Sequence, residues 1–422
     1  MKTIKTYIML ALAVAFVSCS SDEPQMIEGE QTRVEEVTPA GDECVAFELT
    51  DAESRAAEET ATFDVAFFKA VCAAEADEAV VAVSPLSARI LMAMVANAAN
   101  DEAAAEIVEA LGCTDLKALN TLSGKYLTTL GYLDPTATIQ MANGVWYHED
   151  YTLADAFKTA IEGDFGSETH SVDLYTGNTM NLINGWAAEK TNNKIPVILD
   201  MPIDQSIKAI LANALYFSGQ WSNPFDEKET IKDVFHGVNG DKVVDMMYMH
   251  DFQSIATTAM YTAVRLPLGM EGKLVATFVL PNAYTDVNDL IATMDFAELE
   301  QECFFPVLPT ELYVPTFKVK PEKEYRLNAP LASLGITKIN ELLPSPMFST
   351  EMPSKFDIIQ KATIEVTEKG AEGAAITDCG WAAGYHDTPH IYEVKFDRPF
   401  LMYISHPETK AILLATRIGD IM

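Results

Sequence analysis

Apolar residues return every three or four positions through FDVAFFKAVCAA (Phe63 to Ala74) and again through LSARILMAMVANAA (Leu86 to Ala99). That period predicts two amphipathic helices early in the chain. In the stretch VSPLS, Ser84 or Pro85 is the expected start of the second helix. A different pattern follows. ANGVWY, LANALYF and VATFVLPN, and later ELYVPTFKV, TIEVT, YEVKF and AILLATRI, are short runs of branched and aromatic residues. Such runs predict strands. Helices concentrate early and strands late, with no regular strand–helix alternation, so the pattern is that of an α+β protein. No composition break or internal repeat appears after Val45, which argues for one large domain over residues 45–422.

Between TIEVT and YEVKF the pattern lapses. TEKGAEGAAITDCGWAAGYHDTPHIYEVKF, Thr367 to Phe396, holds some two dozen residues with little helical period and many glycines and alanines. Loops longer than roughly 12–15 residues are uncommon in compact domains and usually functional or disordered.

Charge narrows the choice of partner. The formal net charge is −33, with 29 basic against 62 acidic residues and no basic cluster. Phosphate recognition requires clustered Lys and Arg, so nucleic acid is excluded as a partner. At the N-terminus, MKTIKTYIMLALAVAFVSCSSDEP sets Lys2 and Lys5 before an apolar run from Tyr7 to Val17. The run is too short to span a bilayer and fits a secretory signal peptide, residues 1–18. FVSC resembles a bacterial lipobox, which makes Cys19 the expected lipidation site. Residues 19–44 then read as a lipidated acidic tether. The expected location is exported and lipid-anchored, on the outer membrane or cell surface of a bacterium. Without Cys19 the cysteines number five, Cys44, Cys72, Cys113, Cys303 and Cys379, with no C-x-x-C spacing. Neither a disulfide framework nor a structural zinc site is indicated.

Catalytic patterns are missing. The sequence contains no G-x-S-x-G elbow, H-E-x-x-H helix or Walker loop. His386 and His390, with Glu393 nearby, approach metal-ligand spacing, but Pro389 lies between them and a solvated loop pair is the simpler reading. No metal, no cofactor and no enzymatic activity are expected.

Several stretches together form a family signature. AVSPLSARILMAM, NGVWYHEDYTLADAF, INGWAAEKTNNKI and NALYFSGQWSNPFD resemble successive serpin blocks in order. LPLGMEGKLVATFVLPN, YVPTFKV, LASLGI, IEVTEKGAEGAA and FDRPFLMYISHPETKAILLATRIGD continue the same order. The resemblance covers essentially everything after the tether. It implies helices packed around a large mixed sheet plus smaller sheets, with residues of about 368–392 forming an exposed reactive-centre loop. It also implies a monomeric suicide inhibitor of proteases. The target cleaves the loop and is held as an acyl-enzyme, and the loop's N-terminal part inserts into the large sheet before the ester hydrolyses.

The resemblance assigns the hinge to Glu368, Lys369, Gly370, Ala371, Glu372, Gly373, Ala374 and Ala375. Trp221 matches the tryptophan where the loop enters the sheet. Ser84, Ser87 and Asn213 match the polar cluster beneath the opening strands, with Gln360 in place of the usual histidine. Thr316 stands where a basic partner for Glu368 is expected, and Ala371 where Thr or Ser is common. These departures bear on the barrier to sheet opening. They leave open an alternative, a serpin-fold binding or structural lipoprotein cleaved as a simple substrate.

An inserting strand needs small or apolar residues at alternate positions, because successive residues face opposite sides. Counting from Ala371, the inward set is Ala371, Gly373, Ala375, Thr377, Cys379 and Trp381. Glu372 and Asp378 both fall in the outward set with Ala374, Ile376 and Gly380. The opposite phase would bury both carboxylates, at several kcal/mol each unless paired. The spacing usual in inhibitory serpins puts the cut at Gly384–Tyr385, within a window from Trp381 to Thr388. No Lys or Arg occurs between Lys369 and Lys395, so a trypsin-like pocket has no charge to bind. Ala382, Ala383 and Gly384 suit elastase- or subtilisin-like serine proteases, and Tyr385 or Trp381 a chymotrypsin-like one. A papain-like cysteine protease stays open as a target.

Overall fold

The computed structural model describes residues 45–199, 202–297, 307–319, 324–341, 343–350, 352–354, 356, 358–371 and 391–421. Cys19, the signal and tether segments, and the loop residues Glu372 to His390 lie outside them.

The first helix, α1 (Asp51–Ala74), begins twelve residues before the stretch that the apolar period marks. Its start is set by a capping box: the Thr50 hydroxyl accepts from the Glu53 N–H while the Glu53 carboxylate accepts from the Thr50 N–H. Helix α2 (Pro85–Ala98) is capped by the Ser84 hydroxyl, which accepts from the Ser87 N–H, and carries Pro85 in its first turn. All its residues but Asn97 are buried. A helix apolar on every side belongs inside the molecule, and α2 packs against α1, strands and further helices. Its one guanidinium, Arg89, lies 3.5 Å from the fully buried carboxylate of Asp64 on α1. Four more helices, α3 (Asp101–Ala110), α4 (Leu116–Thr129), α5 (Asp155–Asp164) and α6 (Gly177–Lys190), come before residue 200, and α7 (Val287–Thr293) and α8 (Asn328–Ser333) follow. Among the described residues no helix is long and apolar enough to cross a membrane.

Two of the predicted strands flank a third strand, which the pattern did not single out, in a nine-stranded sheet. These are β8 (Leu274–Pro281), β18 (Phe400–His406) and β19 (Ala411–Ile418), and every residue in them is buried. Continuous apolar runs are what such doubly covered strands require. Around them lie β1 (Val80–Val83), β5 (Ile231–Gly237), β6 (Gly240–Thr257), β7 (Tyr261–Leu268), β9 (Val307–Pro315) and β17 (Tyr392–Lys395). The order is β1-β19-β18-β8-β7-β6-β9-β17, with β5 on β6. Every pair is antiparallel except β17 with β9, so the sheet is mixed.

A second sheet holds β3 (Glu168–Val172), β2 (Ala137–His148), β4 (Ala209–Gln220) and β16 (Gly370–Ala371). Ladders of two strands join β10 (Phe317–Val319) to β15 (Ile364–Val366), β11 (Tyr325–Arg326) to β14 (Ile359–Gln360), and β12 (Leu343–Ser345) to β13 (Met352–Ser354). The architecture is α+β, as the pattern predicts. One expectation is corrected: ELYVPTFKV is not one strand. The chain leaves the large sheet at Pro315 and re-pairs from Phe317 with β15, and Thr316 spends its N–H on the Asp245 carbonyl at 2.8 Å. Proline at 315 has no donor for a ladder, so the break falls there.

The two faces of β4 explain where the core sits. Leu211 and Phe217 pack on the main core with α1 and α2, whereas Ile210, Ala212 and Ala214 pack with Trp146, Ile183 and Trp186 under α6. Odd and even positions of β4 thus belong to different compartments, as a period of two demands.

Candidate functional site

The chain leaves β15 and reverses within two residues. Thr367 and Gly370 exchange both backbone hydrogen bonds, at 3.0 and 3.2 Å, around Glu368 and Lys369. Gly370 and Ala371 then run antiparallel to β4, opposite Gln220 and Gly219. The hinge strand β16 therefore lies between β15 and β4. Strand order across this region is β10-β15-β16-β4-β2-β3, the β15–β16 contact being the Thr367–Gly370 bridge.

Gly370 is required by this geometry. Its φ is +145°, and a Cβ would stand 2.2 Å from the Gly219 carbonyl oxygen and 2.6 Å from Gln220 Cα. Only a residue without a side chain adopts that backbone against those neighbours.

Trp221, next after β4, holds the turn from the other side. It is 3% exposed. Its indole Nε1–H donates to the Thr367 carbonyl at 2.9 Å and its backbone N–H to the Lys369 carbonyl at 3.1 Å. The Phe225 N–H donates to the Glu368 carbonyl at 2.9 Å. The Glu368 side chain accepts from the Thr230 hydroxyl at 2.8 Å, and Lys369 pairs with Glu227 at 3.1 Å on the surface. Thr316 contributes nothing to Glu368, and its hydroxyl bonds Asp245 instead. Glu368 is paired instead with a neutral hydroxyl donor, Thr230, on a segment that no motif singles out.

The four residues expected in a polar cluster lie together. Ser84, Ser87, Asn213 and Gln360 line one cavity of about 20 Å³, with Leu215, Ala362 and Thr363 beside them. Gln360 and Ser84 are joined twice: the Ser84 N–H donates to Gln360 Oε1 at 3.0 Å, and Gln360 Nε2–H donates to the Ser84 carbonyl at 2.8 Å. Asn213 donates to Asn143 Oδ1 at 2.8 Å, and Asn143 donates to the Phe165 carbonyl at 3.0 Å. Ser87 Oγ and Asn213 Oδ1 are buried without a hydrogen-bond partner among the described residues. Trp221 stands apart from this cluster, at the hinge end of β4.

Of the hinge, Glu368 to Gly370 and the backbone of Ala371 are described. Glu372, Gly373, Ala374, Ala375, the bond Gly384–Tyr385, the window Trp381 to Thr388, and the pair His386 and His390 lie outside the described residues. Cys72 is a free thiol in the core, and burial pushes it up to about 12 against the opposing charge of Arg417. It remains a protonated packing group at neutral pH.

A family model described as Serpin (serine protease inhibitor) matches residues 58–421. Antichymotrypsin-2 of Bombyx mori is 30% identical over 295 residues, 67% of this chain and 77% of its own. Iripin-5 of Ixodes ricinus is 29% identical over 292 residues, 68% and 74% of the two chains. Among solved structures, the thermophilic serpin tengpin in its native state aligns with a TM-score of 0.77 at 24% identity, covering 89% of this chain and 96% of that one. Human thyroxine-binding globulin aligns equally well, TM-score 0.77 at 20% identity over 88% and 100% of the chains.

Proposed function

The chain belongs to the serpin family, whose members are generally serine protease inhibitors, and on that premise we propose that it traps a protease as a suicide substrate. The protease's serine Oγ attacks the carbonyl carbon of Gly384. The bond to the Tyr385 nitrogen breaks, that amine leaves with a proton, and an ester joins the protease to Gly384. The freed N-terminal arm of the loop then extends β16 down the length of β4 before water reaches the ester.

The observation carrying this reading is the register of β16. Ala371 lies opposite Gly219, an odd position of β4. Continued residue by residue, that register sets Ala375 opposite Leu215 and Thr377 opposite Asn213, in the polar cluster. On that continuation Glu372 and Asp378 would fall on the even row with Ser218 and Ala212. The phase started by the hinge is the phase that keeps both carboxylates off the main core.

About ten new ladder bonds, at roughly 1 kcal/mol net each, would favour the inserted state. That sum rivals the whole stability of an ordinary domain, about 5–15 kcal/mol. A barrier, not an equilibrium, must hold the uncleaved form.

The absence of Lys and Arg between Lys369 and Lys395 directs the bait to elastase-, subtilisin- or chymotrypsin-like proteases. The test is a denaturing gel after mixing with an elastase-like, a chymotrypsin-like and a trypsin-like enzyme. A detergent-stable covalent complex with either of the first two, and none with the third, is expected. Quantitative cleavage of the loop with no complex would overturn the reading in favour of a simple substrate.

A further inference from the structure

Sheet alternation exposes one face of β6, β9 and β17 beside the point where the loop re-enters the fold. Across these strands Met249, Leu312 and Val394 share a row and are buried. The adjacent rows face out. One joins Tyr248, Tyr313 and Lys395, and the next joins His250, Glu311 and Glu393. Phe252 pairs with Pro309 in the row beyond, and Val307 with Ser254 after that. Phe252 is 59% and Val307 55% exposed, and Ile391, the first described residue after the loop, is 43% exposed. The surface is apolar at the loop end and acidic just behind it.

Its field is negative. Besides burial, Glu311 and Glu229 hold the Tyr248 hydroxyl above its ordinary range. Burial, Glu311 and Glu393 do the same for Tyr313, against Lys395. The one lysine is neutralised at close range, 2.6 Å from Asp233. Tyr248 and Tyr313 rings lie 4.9 Å apart, a rigid aromatic base to the patch.

A protease engaged at the loop is held close to this face. From Tyr385 to Ile391 is six residues, at most about 20 Å of extended chain, less than the ~30 Å breadth of a small domain. We propose that the outer face of β6, β9 and β17, built on Phe252, Val307, Glu311 and Glu393, is an accessory docking surface for a target protease whose rim beside its catalytic cleft is basic. This rests on the inhibitor reading for the identity of the partner, and it adds a selection that the loop's own residues do not make. Opposite charge steers the encounter and fixes orientation, and the exposed phenylalanine supplies apolar contact.

The experiment measures the second-order rate of loop cleavage, which reports docking whether or not the protease is then trapped. Glu311→Lys/Glu393→Lys is compared with wild type and with Glu102→Lys/Glu109→Lys, an equal charge change on α3. Two elastase-like proteases of the same primary specificity are used, one with a basic and one with an acidic surface. With the basic enzyme at low salt, cleavage of the first variant should fall about tenfold, within the range of electrostatic steering. The α3 variant should stay near wild type, and high salt should erase the difference. Phe252→Ala, an exposed position that leaves the core intact, should slow cleavage by the basic enzyme at any salt. Equal rates for both charge variants overturn the docking surface. So does self-association of the wild-type chain abolished by Phe252→Ala, since the face would then be a contact between copies. Loss of covalent trapping with the rate differences intact would sink the inhibitor reading alone.

Discussion

His406 and Asp64 are buried titratable groups whose pKa values move in opposite directions. His406, at the end of β18, contacts Thr409 and the Phe47 ring, with Glu408 4.0 Å away and Lys273 also acting on it. Burial, then Lys273, brings its imidazole down to about 4. Its contribution to stability is therefore complete above pH 6.5 and lost as pH falls toward 4. Asp64 is pushed up to about 6 by burial, against Arg89 and the Ile412 N–H. Its charged form is a burden above pH 6 that is relieved as pH falls toward its unfolded value near 4. Each effect amounts to roughly 3 kcal/mol, so over pH 6.5 to 4 they largely cancel. Relative to wild type, His406→Gln should gain thermal stability on acidification across that window and Asp64→Asn should lose it. Melting midpoints from pH 7 to 4.5 that run parallel for all three proteins would refute the assignment.

On the proposed reading function turns on the hairpin at Thr367–Gly370, and a pair of substitutions separates the two rows of the strand that continues it. Ala375→Glu places a carboxylate on the row that the β16 register carries to Leu215, where insertion must desolvate it at several kcal/mol. The uncleaved loop need not bury it, so the first acylation should be nearly unchanged while insertion slows. More inhibitor should then be consumed per protease inhibited, by at least several-fold, whereas Ala374→Glu on the opposite row should stay close to wild type. Equal stoichiometries for the two would break the alternation argument. Part of this element was legible in the chain: Gly370 and Trp221 are marked by the order of motifs, and they fall at the bend and against it. What was illegible depends on long-range contact. Thr230 reaches Glu368 across 138 positions, and nothing near either residue in sequence hints at the pair. The strand break at Pro315 and Thr316 was equally hidden, because its cause is the Asp245 carbonyl of β6. Helix α6, GNTMNLINGWAAEK, starts with one glycine, carries another inside and has a weak apolar period. It forms because Ile183, Trp186 and Ala187 cover the even face of β4.

At the scale of the molecule, the described residues hold two residues of a strand, Gly370 and Ala371, laid between β15 and β4, and on the proposed reading the residues that follow them in sequence extend it after cleavage. On that reading the chain stores free energy in bonds it has not yet made, and severing the loop should release it. The direct measurement is the thermal midpoint before and after cleavage between Trp381 and Thr388 by an elastase-like protease, with the cut mapped by mass spectrometry. Insertion worth about 10 kcal/mol should raise the midpoint by on the order of 10–20 °C for a domain of this size. A chain cut within that window whose midpoint does not rise would contradict the account.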